Sequence, residues 1–262
     1  MIAVHRPVSL VIVGAGRLGN AVAASLGAAG RSVTLSHHDE ALPKADAYWL
    51  TVPDDAVAST AAKLPAGAIA LHSAGSLGPE VLGGRPGAVL HPLMTFPHPE
   101  GTTVPCTIDG APVAVALANE LAGALGWSPV GGVSDRAGYH AAACLVSGHL
   151  GVLVEDAARL FSSSTGMSLV DARRTIAPLA QASLARVLGA GPAGLTGPAA
   201  RGDTATIGAH RSALPPALLP IYDAGTARII FLRAHEALDD AGVKSGGYTP
   251  FGSGSTEPDD AS

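Results

Sequence analysis

The stretch Ser9-Leu10-Val11-Ile12-Val13-Gly14-Ala15-Gly16-Arg17-Leu18-Gly19 is a short apolar strand that leads directly into the pattern G-x-G-x-x-G. Gly14 permits a tight turn, Gly16 lets an anion approach the backbone, and Gly19 lets the next helix pack closely. The Ala-rich run 20–29 is compatible with that helix, whose free N–H groups attract a pyrophosphate. The chain has 33 glycines, so the context, more than the pattern itself, predicts a dinucleotide-binding turn. The expected cofactor contacts are Gly14, Ala15, Gly16, Arg17, Leu18 and Gly19.

The composition limits the partners that the protein can have. Apolar residues make up 47% of the 262 residues, which is enough for a core, and the formal net charge of −5 argues against nucleic acid. The two cysteines, Cys106 and Cys144, form no disulfide framework, which fits a cytoplasmic protein. The ten histidines form no H-x-x-x-H pair accompanied by a carboxylate, so we predict no metal site.

The segment 137–154 contains no Asp, Glu, Lys or Arg and approaches the length of a membrane span. It also contains His140, Ser147, His149 and three glycines, and Glu155 follows it directly. These polar residues favour a helix buried between subunits or domains. We therefore predict no membrane partner.

The end of the second predicted strand, 32–35, bears on the choice between NADP and NAD. An NAD site usually has a carboxylate here to bind the ribose 2′-OH. This chain instead has Ser36, His37 and His38, followed by Asp39. Hydroxyl and imidazole groups suit a 2′-phosphate, so NADP is predicted and NAD is less favoured. The alternative is that the two histidines are simply exposed in a loop.

Three further predicted strands, 45–53, 68–72 and 87–91, alternate with helical stretches, which indicates a parallel sheet with helices on both faces. Ligands bind at the carboxyl ends of such strands. Asp54 is a candidate helix N-cap after the first of these strands. The side chains or backbone expected at this rim are those of Val52, Pro53, Ser73 and Ala74 for the cofactor, and His91 and Thr95 for the substrate.

Beyond residue 134 the chain is predicted to be helical, with helices at about 135–163, 168–188, 205–210 and 215–240. This gives an α/β fold: a doubly wound Rossmann domain (1–134) and an all-α substrate and dimerisation domain (135–244). The Gly-, Ser- and Pro-rich residues 245–262 are predicted to form a disordered tail.

Two places in the helical part are candidate substrate sites. His140, Cys144 and Ser147 share a helix face because they are spaced i, i+4 and i+7. For His140 the alternative is a buried histidine or a subunit contact. Arg201 can bind a carboxylate with two hydrogen bonds, and Asp203 can orient it. For this pair the alternative is a loop salt bridge, or a helix cap formed by Asp203.

Several motifs together resemble a known family. They are V-G-A-G-R-L-G (13–19), T-V-P-D-D-A-V (51–57), H-S-A-G (72–75), H-P-L-M-T-F (91–96), Y-H-A-A-A (139–143) and T-G-P-A-A-R-G-D (196–203). They resemble Rossmann-like oxidoreductases with a C-terminal domain of unknown function. These belong to the 6-phosphogluconate dehydrogenase-like group, which includes ketopantoate reductase and pyrroline-5-carboxylate reductase. The resemblance covers the chain up to about residue 240.

The resemblance implies a nicotinamide-dependent reductase that dimerises through its helical domain. Relatives carry an S-R-D type turn where this chain has His37-His38-Asp39, and S-N where it has Ser147-Gly148. Dehydrogenases in this superfamily that act on β-hydroxyacids use a lysine, but no lysine lies between Lys63 and Lys244.

The leading hypothesis is an NADPH-dependent reductase of a small carbonyl acid, such as 2-dehydropantoate. We expect His140 to act as general acid, with Tyr139 or His91 as substitutes. Arg201 would bind the substrate carboxylate, Asp203 would orient Arg201 or His140, and Ser147 would line the pocket. The alternatives are an imine reductase of the pyrroline-5-carboxylate reductase type and a non-catalytic dinucleotide sensor.

Overall fold

The computed structural model describes residues 8–37 and 40–240, with side chains up to residue 235. The chain divides into two compact units, Met1–Leu153 and Val154–Ser262. The change from sheet to helices falls earlier, between Pro129 and Arg136. The domain ranges 1–134 and 135–244 stay a prediction, and the predicted tail 245–262 lies outside the described residues.

Within the described residues, the first unit contains one seven-stranded sheet with the order β2-β1-β3-β4-β5-β6-β7. Strand β1 lies between β2 and β3, so the strand order runs from β1 towards one edge of the sheet and then, from β3 onwards, towards the other. Such a switch point opens a crevice at the carboxyl ends of the strands. The strands are β1 (Leu10–Val13), β2 (Val33–Ser36), β3 (Ala47–Leu50), β4 (Ile69–His72), β5 (Gly87–Pro92), β6 (Pro105–Gly110) and β7 (Ser128–Pro129).

The predicted parallel sheet is confirmed for its first five strands, and two further strands extend it in the opposite direction. Strands β1 to β5 are parallel, whereas β6 pairs antiparallel with β5, and β7 follows the direction of β6. A parallel pair needs a long crossover connection. The loop 93–104 joins β5 to β6 without a helix, so the chain reverses there.

Successive side chains of a strand point to opposite faces of the sheet, so the apolar strands present apolar side chains on both faces. Helices cover both. Leu10 and Ile12 pack in a core with α1 (Arg17–Ala28) and α3 (Pro112–Ala124). Val11 and Val13 pack in a second core with α2 (Val57–Ala61). The doubly wound arrangement is therefore confirmed.

Asp54 does not cap α2 as predicted. It begins a 3₁₀ turn, Asp54–Ala56, that precedes the helix, and its carboxylate accepts a hydrogen bond from the Ser76 hydroxyl. The residue before this turn, Pro53, has no side-chain acceptor, and the chain enters the helix through the 3₁₀ turn instead.

The remaining described elements are helical. Ser168 caps the N-terminus of α6, where its hydroxyl accepts a hydrogen bond from the Asp171 amide at 3.1 Å. Pro216–Leu218 forms a 3₁₀ turn before the last helix. The helices are α4 (Arg136–Cys144), a π-helical turn (Leu145–His149), α5 (Leu150–Thr165), α6 (Leu169–Ala190), α7 (Pro198–Arg201), α8 (Thr204–Ala213) and α9 (Leu219–Asp240).

The continuous helical stretch Arg136–Thr165 is, among the described residues, the one helix long and apolar enough to cross a membrane. Length and composition alone are weak grounds for a span, and the polar residues noted above interrupt it. None of its most apolar window is buried. Burial of this stretch between subunits or domains stays a prediction.

Candidate active site

The glycine turn after β1 has the geometry that its sequence predicts. Gly14 has a φ of +114°, and its N–H donates to the Ser36 carbonyl at 2.9 Å. Gly19 lies so close that a Cβ there would be 1.8 Å from the Gly14 carbonyl oxygen. The Thr51 hydroxyl donates to that same oxygen at 2.8 Å. Only glycine can occupy position 19 while α1 keeps this close approach to β1.

Gly16 differs from the other two glycines because the space above it is open. Apart from its own chain neighbours, no atom of the described residues lies within 4 Å of a Cβ built on it. It is the N-cap of α1 and provides no side-chain cap, and the first turn contains no acidic residue. The free N–H groups that follow, together with exposed Arg17, therefore suit a bound pyrophosphate. Leu18 lines the adjoining depression.

The three residues predicted to contact the 2′-phosphate, at the end of β2, differ in their surroundings. Ser36 is buried, and its hydroxyl donates to the His37 carbonyl at 3.3 Å. It therefore lacks the exposure that the predicted contact with a 2′-phosphate requires. His37 is exposed, whereas His38 lies outside the described residues. The His37 N–H donates to a carboxylate oxygen of Glu40 at 3.2 Å. The sequence analysis did not predict this carboxylate, because it considered only the residues directly after the strand.

The residues after β3 and β4 are held by the sheet itself. The Ser73 hydroxyl accepts from the Trp49 indole N–H at 2.8 Å and donates to the Leu90 carbonyl at 2.9 Å. Ala74 is buried, whereas Pro53 is exposed beside half-buried Val52. The Ser73 hydroxyl proton is therefore already bonded, and it is not free to bind a cofactor.

A hydrogen-bonded chain joins three residues from different elements at the end of β5. The Tyr139 hydroxyl lies 2.6 Å from His91 Nδ1 and 3.1 Å from the Thr107 hydroxyl. Thr107 stands directly opposite His91 in the β5–β6 ladder. Tyr139 lies in the first turns of α4, which begins where the Asp135 carboxylate caps the helix. The antiparallel β6 thus anchors both the strand and the helix side of the site.

The ring of His140 lies next to that of His91. Their centroids are 6.3 Å apart and the planes are inclined by 78°. Burial, and then the nearby His140, lower the pKa of His91 to about 4. Burial also raises the pKa of Tyr139. At neutral pH, His91 and Tyr139 are therefore both uncharged.

A cavity of about 350 Å³ opens between the loop after β5 and the helical stretch that contains His140. His140, Cys144 and Ser147 all line it, as their predicted common helix face requires. Apolar side chains form much of the remaining wall. The lining residues are His91, Pro92, Leu93, Met94, Thr95, His140, Ala143, Cys144, Val146 and Ser147.

Ser147 lies in the π-helical turn, where the backbone pairing changes. Its hydroxyl donates to the Ala143 carbonyl at 2.8 Å, and His149 Nδ1 lies 3.0 Å from the Cys144 carbonyl. Side chains thus contact two backbone carbonyls at the start of this turn. Turns of this kind occur often at functional sites. Because its proton is committed to the backbone, the Ser147 hydroxyl can offer its lone pairs to a ligand.

A second depression, of about 370 Å³, adjoins the N-terminus of α1. It shares His91, Pro92, Met94 and Thr95 with the His140 cavity. Its other lining residues are Arg17, Leu18, Ser73 and Phe96. The segment 91–96, formed by the end of β5 and the loop after it, is therefore a common wall between the glycine-turn side and the histidine side of the first unit.

Arg201 and Asp203 belong to the second compact unit. Arg201 is exposed at the end of α7. Asp203 caps α8: one carboxylate oxygen accepts from the Thr206 N–H at 3.0 Å, and the other accepts from its hydroxyl at 2.7 Å. These bonds lower the pKa of Asp203. The structure thus gives Asp203 the capping role, and the substrate role of both residues stays a prediction.

The structure therefore brings together five of the predicted site residues, His91, Thr95, Tyr139, His140 and Ser147. Thr107 and Met94 were not among the predicted residues. The place of Thr107 depends on the reversed pairing of β6, which local sequence does not reveal. Met94 lies inside the quoted motif H-P-L-M-T-F, so its position there was a usable signal. Among the residues with described positions, no group of three His, Cys, Asp or Glu side chains could hold a metal ion.

Residues 104–229 match the family described as Domain of unknown function (DUF2520). The match covers just under half of the chain and begins within the sheet, just before β6. No curated protein matches the chain in sequence.

Solved structures resemble the chain over most of its length. A Bacteroides fragilis protein, provisionally named an NADP oxidoreductase, is 22% identical with a TM-score of 0.73, covering 86% of this chain and 98% of its own. A Thermotoga maritima protein is 19% identical with a TM-score of 0.67, covering 87% and 99%. A Plasmodium falciparum pyrroline carboxylate reductase with NADP bound is 10% identical with a TM-score of 0.55, covering 86% and 98%.

At these identities the structural matches establish the fold, a Rossmann-like domain followed by a helical one. Together with the family match they confirm the resemblance drawn from the motifs. The chain is similar to Rossmann-like oxidoreductases that carry a C-terminal domain of unknown function.

Proposed function

We propose that the protein is an NADPH-dependent oxidoreductase that reduces the carbonyl group of a small organic acid. One observation carries this proposal: the His140 cavity and the depression beside α1 share the wall formed by His91, Pro92, Met94 and Thr95. A cofactor bound along the glycine turn would reach this wall from one side and a substrate from the other. Holding two reactants in such proximity supplies much of an enzyme's rate.

The glycine turn and the N-terminus of α1 would hold the pyrophosphate of the cofactor. The exposed imidazole of His37 would meet the 2′-phosphate. The NADP in the names of two structural neighbours supports NADP as the cofactor. NAD is the alternative, because Glu40 brings a carboxylate to the end of β2. When bound, NADPH supplies the hydride.

His140 is the proposed general acid. Its ring lines the cavity, and imidazole is the side chain that most often serves as a general acid or base. His91 is less suited, since its pKa of about 4 keeps it without an extra proton and its Nδ1 contacts Tyr139. His140 would give its proton to the oxygen of the carbonyl as the hydride reaches the carbon. Tyr139 and Thr107 would hold His91 against the cavity.

The cavity favours a small substrate with an apolar body. Its volume of about 350 Å³ is at the lower end for small-molecule sites. Leu93, Met94 and Val146 provide an apolar wall, and the Thr95 and Ser147 hydroxyls can contact a polar end. Reduction of 2-dehydropantoate to pantoate, suggested by the family resemblance, fits this description.

A cyclic imine is the second candidate substrate. Several structural neighbours are named pyrroline carboxylate reductases or imine reductases. A protonated imine needs little help from an acid, which suits a chain with no lysine between Lys63 and Lys244.

The test is NADPH oxidation with 2-dehydropantoate and, separately, with 1-pyrroline-5-carboxylate. Turnover of the keto acid and a loss of about 10²–10⁴-fold in kcat in His140→Ala would support the proposal. The matched control is His235→Ala, which removes an imidazole whose Nδ1 contacts the Phe231 carbonyl of its own helix α9. Turnover of the imine alone would show that the substrate is a cyclic imine and not a keto acid. NADPH binding without turnover of either would favour the sensor alternative.

We also propose that two copies associate through their helical parts. Large apolar side chains are exposed on α6 and α9, including Leu179 (71% exposed), Leu188 (86%) and Phe231 (41%). Sedimentation velocity of the wild type and of Leu188→Lys tests this. A dimer that the substitution weakens supports association, whereas a monomeric wild type rejects it.

A further inference from the structure

The turn that follows β4 is held by the completely buried imidazole of His72. Its Nδ1 accepts a hydrogen bond from the Ala74 N–H at 3.2 Å. Its Nε2 lies 3.1 Å from the Gly78 carbonyl oxygen, to which it must donate. These two bonds fix one neutral tautomer, and burial lowers the pKa of His72 in agreement with it. One side chain therefore ties both ends of the segment 74–78.

Gly75, inside this segment, lies against both histidines of the cavity. A Cβ built on Gly75 would be 2.7 Å from His91 Nε2 and 2.9 Å from its Cε1. It would be 3.0 Å from His140 Cδ2. The two imidazoles thus converge on a single backbone atom that carries no side chain.

The conflict at Gly75 is one of space and not of backbone conformation. Gly75 is not among the glycines with a positive φ, so an alanine could adopt its backbone angles. His91 cannot easily withdraw, because its other nitrogen is held by the Tyr139 hydroxyl at 2.6 Å. An added methyl group must therefore push His91 away from Tyr139, displace His140, or move the turn that His72 holds.

We propose that Gly75, fixed by His72, is a positioning residue that sets where the rings of His91 and His140 stand relative to each other. The inference rests on the proposed function, since its purpose is to align His140 with a substrate carbonyl in the cavity. Glycine is required because the point of contact lies where any side chain would stand. The motif H-S-A-G thereby links a buried imidazole to two imidazoles of the cavity.

The first test is the Gly75→Ala variant, studied by steady-state kinetics and cofactor titration. Displacement of the acid by about 1 Å is expected to lower kcat by about 10²-fold. The Kd for NADPH should change far less than kcat, because Gly75 itself does not line the depression beside α1. Gly123→Ala is the matched control, since Gly123 has open space and no positive φ and lies in α3. It should keep the wild-type kcat.

The second test needs no activity. Histidine side-chain NMR of the full chain should show His91 titrating near pH 4 in the wild type and at a higher pH in Gly75→Ala, as the ring leaves its buried place. If Gly75→Ala does not fold, His72→Asn provides a second variant. Its amide oxygen can still accept the Ala74 N–H but cannot reach Gly78, so the same changes should appear in weaker form.

A wild-type kcat and an unchanged His91 titration in Gly75→Ala would overturn the positioning role. The two proposals fail in different ways. If the wild type reduces no carbonyl or imine, the proposed function fails, while the NMR comparison still decides whether Gly75 positions the two rings.

Discussion

At the scale of single residues, the three glycines of the first turn perform different tasks. Gly14 adopts a positive φ, Gly19 leaves no room for a side chain, and Gly16 has open space around it. The sequence predicts all three tasks, because each follows from its place between a strand and a helix. The structure adds that Thr51 bonds the Gly14 carbonyl oxygen, against which Gly19 packs.

Alanine substitutions should separate the structural glycine from the binding one. Gly19→Ala is expected to destabilise the apoprotein strongly, because its Cβ would overlap the Gly14 carbonyl. Gly16→Ala should leave the apoprotein Tm nearly unchanged but weaken NADPH binding, since its methyl group would occupy the pyrophosphate position. Thermal unfolding with and without NADPH measures both effects. Equal NADPH affinity in Gly16→Ala and the wild type would contradict the assigned position of the pyrophosphate.

The half-buried His91 should make the stability of the protein depend on pH. Its pKa is about 4 when folded against an ordinary 6.5, so the unfolded chain binds more protons between these values. Its contribution to the free energy of unfolding is complete above pH 6.5 and falls by roughly 3 kcal/mol as the pH drops to 4. Urea unfolding at both pH values should show a smaller decrease in His91→Asn than in the wild type. An identical decrease in both proteins would reject the buried neutral state.

Glu40 is expected to oppose a 2′-phosphate at the end of β2. Its carboxylate accepts from the His37 N–H, close to where that phosphate would bind. Glu40→Gln removes the negative charge, so NADPH should bind more tightly by up to roughly tenfold, equivalent to about 1.4 kcal/mol. NADH affinity should not improve. Isothermal titration with both nucleotides tests this, and an equal gain for NADH would contradict the stated geometry.

At the scale of elements, most helices and strands follow from local sequence, whereas their pairing does not. The prediction of a helix at 168–188 agrees with α6 and with Ser168 as its cap. The reversal of β6 was not predicted, since strand composition does not specify direction. That reversal places Thr107 opposite His91. Local sequence patterns therefore could not reveal that Thr107 takes part in the hydrogen-bonded chain with Tyr139 and His91.

The N-terminus of α8 provides a test of the two roles considered for Asp203. If capping is its role, Asp203→Ala should lower the free energy of unfolding by about 1 kcal/mol, and Asp203→Ser should keep most of it. Both variants should keep kcat within about twofold, since about 1 kcal/mol of stability leaves the protein folded. Loss of kcat in Asp203→Ser, at wild-type stability, would instead support the catalytic role.

At the scale of the whole molecule, the central claim is that the first unit combines a dinucleotide site with an adjacent reaction cavity. The sequence predicts the first part through the glycine turn and its strand. It predicts the second through residues at strand ends, His91 and Thr95, and through the helix face that contains His140 and Ser147. The choice of substrate depends on the volume and lining of a cavity, which a sequence does not specify.

The most direct test is a thermal-shift titration with NADPH and with NADH, run beside 2-dehydropantoate-dependent oxidation of each. A nucleotide at a hundred times its Kd should stabilise the folded chain by about 2.7 kcal/mol. We predict a clear shift with NADPH, a smaller one with NADH at equal concentration, and keto-acid-dependent NADPH oxidation. The absence of a shift with either nucleotide would contradict the account, because no dinucleotide would then bind at Gly14, Gly16 and Gly19.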